Sequence, residues 1–168
     1  MRVLDLTHAF DNGMPVFPGL PDPSFEPIAK VEADGYAMTR YAMLNHIGTH
    51  VDAPAHQIAG GDTLDEIGLE RLVTDAVRID VSHRDPHGAI PLDEIRAQLD
   101  DVRAGDIVLF YSNNARNYGT DAYWTGWSYP DADASRALIE RGVSAPSGSS
   151  IKRTSYVVKV PITLLPMV

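Results

Sequence analysis

The sequence predicts a single α/β domain over residues 1–168, with a mixed β-sheet packed against helices. Three observations lead there. A chain of 168 residues suits one domain and can bury about 70% of the surface its unfolded state exposes. Its 44% hydrophobic and 22% charged residues are the proportions of an ordinary globular protein. Segments of period-two alternation dominate the first half, and segments of helical spacing join them in the second.

The elements follow in order. Leu4 and Leu6 alternate with Asp5 and Thr7, as in a half-buried strand over residues 2–8. His8 at its end reads first as a hydrogen-bonded histidine and second as a group facing a site. Asp11-Asn12-Gly13 is a turn, and Pro15, Pro18, Pro21 and Pro23 keep the next stretch extended and irregular. Residues 25–32 and 37–45 read as strands joined by a turn at Ala33-Asp34-Gly35. Neither face of the second is cleanly polar, which predicts a strand interior to a sheet. After a turn at Gly60-Gly61-Asp62, the spacing of Ile67, Leu69 and Leu72 predicts a short helix over residues 65–73.

Val77, Ile79 and Val81 alternate with polar neighbours in a strand over residues 75–81. His83 and His87, with Asp85, Pro86 and Gly88, read as a solvated loop rather than a second metal pair. Pro91 opens a helix to Leu99, with Leu92, Ile95 and Leu99 on one face. Residues 107–111 are a short apolar run fit for a buried strand. Residues 112–130 read as an aromatic loop, with Tyr118, Tyr123, Trp124, Trp127 and Tyr129 suited to a flat ligand or to packing. A helix over residues 132–141 closes at Gly142.

Chemistry concentrates between His46 and His56. Three of the six histidines and Asp52 fall in these eleven residues. Imidazole nitrogens and a carboxylate suit zinc, manganese or iron. A helix there is disfavoured by Gly48, by β-branched Thr49 and Val51, and by Pro54. The zincin helix also needs Glu directly after its first His, where this chain has Ile47. His46, His50, Asp52 and His56 share parity, yet a straight strand fails as well. Six steps of ~3.3 Å would separate His46 from Asp52 by about 20 Å. The chain must bend, and Gly48 is the residue that permits it. Spacing leaves His56 open as a fourth ligand or as a proton carrier.

This H-x-G-T-H-x-D-x-P-x-H pattern, with every fixed position filled, resembles the signature of the metal-dependent cyclase family. That family includes bacterial kynurenine formamidases, isatin hydrolases and related amide hydrolases. The likeness extends to Leu4-Asp5-Leu6-Thr7-His8, Gly13 through Gly19, Gly61 through Asp65 and Ala104 through Leu109. It covers residues 2–143. The resemblance implies the swivelling β/β/α fold and a divalent cofactor, zinc first and manganese second, held by His46, His50 and Asp52. It gives His56 proton transfer and makes Phe17 a wall of the substrate pocket, where relatives often carry Trp. A core aromatic is the other reading of Phe17. The expected reaction is hydrolysis of an aryl formamide or cyclic amide, and the expected self-partner makes a homodimer or larger homo-oligomer.

Residues 144–168 depart from that pattern. All 23 acidic residues lie in residues 1–140 with 10 of the 14 basic ones, which gives −13 there and +4 over the last 28 residues. The last histidine is His87 and the last glutamate Glu140, so the family's distal His and Glu ligands have no counterpart in the tail. Two explanations stand: a shortened or altered tail, which would also cost core area and predicts marginal stability, or a site that works with one metal completed by water or a partner chain. Two rivals to an active hydrolase follow: a metal-binding descendant without turnover, and a metal storage or carrier module. A net charge of −9 argues against nucleic-acid partners. No run is long and apolar enough for a membrane span, and no signal-peptide pattern opens the chain. With no cysteine, thiolate ligands and disulfides are excluded and a cytoplasmic setting is expected.

Overall fold

A computed structural model describes residues 7–84 and 88–144 of the chain. The strand read over residues 2–8 therefore lies almost wholly outside the described residues, as do His87 and the tail from residue 145. The fold is mixed α/β. Strand β1 (Ser24–Ala29) leads through the one-turn helix α1 (Val31–Asp34) to β2 (Met38–Ala42). Strands β3 (Ala76–Asp80) and β4 (Gly88–Ile90) precede helix α2 (Leu92–Ile95), which continues as a 3₁₀ helix to Asp101. Then come β5 (Ile107–Tyr111), α3 (Asp121–Thr125), β6 (Ser128–Pro130) and α4 (Ala132–Glu140). The strands pair as an antiparallel β1–β2 hairpin and as parallel β3–β5 and β4–β6 pairs.

The core sits between the parallel strands and the helices. Ile79, Val81, Ile90, Ile95 and Leu99 are closed from solvent and pack with Val102, Ala134, Ala137 and Leu138. Of the apolar positions read at helical spacing in Pro91–Leu99, Ile95 and Leu99 are thus buried and Leu92 packs against them half-buried. Asp131 starts α4 by accepting from the Ala134 N–H at 2.7 Å. Gly142 ends it at φ 70°, a left-handed conformation in which glycine avoids a Cβ penalty. Gln98 accepts from the Asp80 N–H at 2.8 Å and donates to its carbonyl at 3.1 Å, tying the 3₁₀ helix to the end of β3.

Three expectations change. Residues 65–73 form two 3₁₀ turns, Leu64–Glu66 and Leu69–Arg71, rather than a helix. Extended backbone at Ile67 and Gly68 separates them, and only Ile67 is buried. The aromatic stretch contains α3 and β6, because pairing with β4 recruits a strand too short to show periodicity. Among the described residues strand β2 is not interior to a sheet. It pairs with β1 alone among the described strands, and all five of its residues are exposed.

Candidate metal centre

The loop after β2 folds back on itself as its reach demanded. Gly48 adopts φ 62°, and a Cβ there would lie 2.9 Å from both Met14 Cε and Phe10 Cζ. Glycine thus supplies the backbone conformation and the space for the N-terminal segment to close over the bend. Beyond it, His50 Nε2 comes within 2.9 Å of His46 Nδ1. Asp52 Oδ1 lies 2.9 Å from His46 Nδ1 and 3.3 Å from His50 Nε2. These three atoms lie within 4.8 Å of one another, and among the described residues no other such group of His and carboxylate side chains forms.

The donors fit a divalent ion by chemistry as well as position. The Gly48 carbonyl lies 2.9 Å from His50 Nδ1, so that nitrogen carries the proton and Nε2 is left with a lone pair aimed at Asp52 and His46. Burial holds the His46 imidazole below its ordinary pKa, with the neighbouring His50 and His56 rings adding to the effect and Asp52 opposing it. A neutral imidazole is the form that binds a metal.

His56 ends the 3₁₀ turn Pro54–His56, and its ring stacks on that of His46 with centroids 4.3 Å apart and planes 17° from parallel. It is exposed and flanks the three-atom cluster without joining it. The turn is braced from behind. The Ala55 N–H donates to the Asp62 carbonyl at 3.0 Å, and a Cβ on Gly61 would stand 2.9 Å from the Pro54 carbonyl carbon. The Gly60-Gly61-Asp62 turn therefore positions His56.

The N-terminal segment meets the loop at Thr49, whose Oγ1 accepts from the His8 N–H at 3.2 Å. The His8 ring stacks on Tyr118 with centroids 3.9 Å apart and planes 2° from parallel. Among the described residues its Nε2 is buried without a hydrogen-bond partner, and desolvation lowers its pKa. The first reading of His8 thus holds for its backbone N–H. Phe17 is 54% exposed, which removes the core reading. Its ring meets Trp124 edge-on at 5.8 Å, and the contacts continue through Tyr123 to Tyr118. A run of aromatic rings therefore leads from Phe17 to His8, whose backbone N–H meets the metal loop at Thr49. Trp127 and Tyr129 make a separate, exposed pair. His83 stands 3.3 Å from Glu94, which also approaches Arg84 at 3.3 Å, so it belongs to an ion-pair group.

Sequence reasoning missed the Gly48 carbonyl and the Thr49 hydroxyl. Only the geometry of a tight bend could have pointed to the first. No local signal marks the second, which acts on a residue 41 positions away.

Comparison with known proteins places this geometry. The Cyclase family model matches residues 4–147. Cyclase-like protein 1 of Oryza sativa subsp. japonica is 35% identical over 80 residues, 42% of this chain and 28% of that protein. A solved structure described as a potential metal-dependent hydrolase with cyclase activity is 28% identical with a TM-score of 0.67, covering 89% of this chain and 72% of its own. Isatin hydrolase A from Ralstonia solanacearum is 27% identical with a TM-score of 0.70, covering 84% and 64%. An isatin hydrolase bound to thioisatinate shares the fold at 23% identity and a TM-score of 0.72, with 83% of this chain covering 63% of it. The chain thus spans less than two thirds of the isatin hydrolases and under a third of the rice protein.

Proposed function

The chain belongs to the Cyclase family, and from that premise we propose that it is a metal-dependent amide hydrolase whose ion is held by His46, His50 and Asp52. The convergence of those three donor atoms within 4.8 Å is the observation that carries the reading. Two imidazoles and one carboxylate are a hydrolytic zinc set, and the carboxylate also suits manganese. When bound, such an ion supplies Lewis acidity, which makes water more acidic and polarises a carbonyl.

The chain's own residues do the rest. His56, free of the cluster and exposed beside it, takes a proton from the attacking water and returns it to the leaving nitrogen. Its stack on His46 fixes the ring next to the reacting atoms. The Gly48 carbonyl holds His50 in the ligating tautomer. Phe17, Trp124, Tyr123 and Tyr118 offer ring faces to a flat acyl or aryl group. That surface favours an aryl formamide or an aromatic cyclic amide, and the isatin hydrolases among the solved relatives favour the cyclic amide. A second reading, a metal-binding descendant without turnover, rests on the same three-donor cluster, which can hold an ion with or without chemistry.

Hydrolysis of an N-formyl aromatic amine and of an aromatic lactam, beside metal content per chain, separates the two. We expect chelator-sensitive turnover. His50→Ala should lose bound metal, and with it at least the ~100-fold in activity that outer-shell changes at metal sites can cost. His56→Gln should keep the metal and lose ~10²–10⁴-fold in rate. Turnover unaffected by chelation rejects the hydrolase proposal, and bound metal without turnover of either substrate selects the second reading.

A further inference from the structure

The metal loop and the aromatic rings come from distant parts of the chain, and His8 touches both. Its backbone N–H donates to Thr49 Oγ1 at 3.2 Å, and its ring lies on Tyr118 with centroids 3.9 Å apart and planes 2° from parallel. Thr49 stands between Gly48, whose carbonyl lies against the His50 ring, and the ligand His50 itself. Tyr118 in turn meets Tyr123 edge-on at 5.3 Å, and Tyr123 meets Trp124 at 5.0 Å.

The rings are held to one another by their own loop. Asn113 opens the 3₁₀ turn Asn114–Asn117 in a left-handed conformation, φ 57°, which asparagine adopts more readily than most residues. Asn114 donates to the Tyr123 carbonyl at 3.1 Å and accepts from Asn117 Nδ2 at 2.7 Å, and the Thr120 hydroxyl donates to the Asn117 carbonyl at 2.7 Å. The segment carrying His8 also braces the metal loop, since Phe10 and Met14 fill the space beside Gly48. Residues 8–14 thus lie as a strap against the loop, and the His8 ring joins that strap to the aromatic rings.

We infer that His8 is a positioning residue that selects aryl over alkyl amides: its backbone anchors the metal loop, its ring seats Tyr118, and together they set where a flat group lies relative to the ion. The substrate in this inference rests on the hydrolase reading. A substrate stacked on the rings carries its scissile bond to a place fixed by those rings, and a misplacement of about 1 Å can cost ~10²-fold in rate. An alkyl amide has no ring to stack and is indifferent to the seat of Tyr118.

Formanilide and N-butylformamide present the same bond on a flat and on a flexible group. His8→Ala deletes the ring and keeps the N–H. It should lower kcat/KM for formanilide by ~10–10²-fold, with a far smaller effect on N-butylformamide and the zinc content of wild type. His8→Phe, which returns a ring to Tyr118, should recover the preference. Thr49→Val removes the acceptor at nearly unchanged shape and should slow both amides, and Thr49→Ser should recover them. Binding is read apart from turnover. The chain has 2 tryptophans, so in a Trp127→Phe background Trp124 alone reports formanilide added to zinc-loaded protein. His8→Ala should raise that Kd by about 2–10-fold, the scale of one lost ring pair. Weaker binding in His8→Ala beside a wild type without turnover rejects the hydrolase reading and leaves His8 its role. An unchanged Kd and aryl preference in His8→Ala overturns the inference. So does an equal loss on both amides together with zinc, which marks a merely structural residue, and so does a wild type that binds no formanilide.

Discussion

Gly48 shows how much one residue can decide. Its left-handed backbone turns the chain, its missing side chain admits Phe10 and Met14, and its carbonyl selects the His50 tautomer. The first of these follows from reach alone, since an extended chain cannot bring His46 to Asp52. The other two depend on where the folded chain places particular atoms. His8 makes the same point for titration. Its folded pKa lies below the ordinary 6.5 because burial penalises the charged ring. The unfolded chain then binds more protons below that pH, so this contribution to stability is present above 6.5 and is lost as pH falls through the depressed folded value. His8→Phe keeps the stack on Tyr118 and removes the proton site. Urea titrations across that range should show a shallower loss of stability in the variant than in wild type; equal slopes would exclude His8 as the source.

At the scale of elements, periodicity identified what the core needed. The helical spacing of Leu92, Ile95 and Leu99 and the alternation of Val77, Ile79 and Val81 emerge as packed surfaces. Ile95 is closed to solvent between β-strands and helices, so Ile95→Ala should cost about 2–5 kcal/mol, read as a lower urea midpoint at unchanged slope. A cost below about 1 kcal/mol would mean that the site collapses around the gap. Periodicity failed where elements are shorter than one period. The turns at Leu64–Glu66 and Leu69–Arg71 and the three-residue β6 owe their form to partners elsewhere in the chain. It also misplaced β2. Apolar residues on both faces of a strand predict burial on both, but among the described residues all five residues of β2 are exposed.

For the whole molecule, the metal loop lies outside the main core cluster, so ion binding and core packing act as separable sources of stability. An ion that binds only the folded chain should stabilise it by about 2.7 kcal/mol at a hundredfold excess over Kd. That is a rise in melting temperature of about 5–10 °C for a chain of this size. Zinc and manganese titrations followed by thermal melts test this, and His50→Ala should abolish the rise. By itself the sequence determined the metal loop, its bend, the family and the apolar faces of the larger elements. Each rests on residue chemistry and local periods, which neighbours in the chain already express. Only the tertiary structure decided that His56 stacks beside the cluster rather than entering it, that Phe17 joins a run of rings ending at His8, and that β2 pairs with β1 alone among the described residues. Those outcomes are set by contacts between segments far apart in the chain, and no local pattern encodes a distance of that kind.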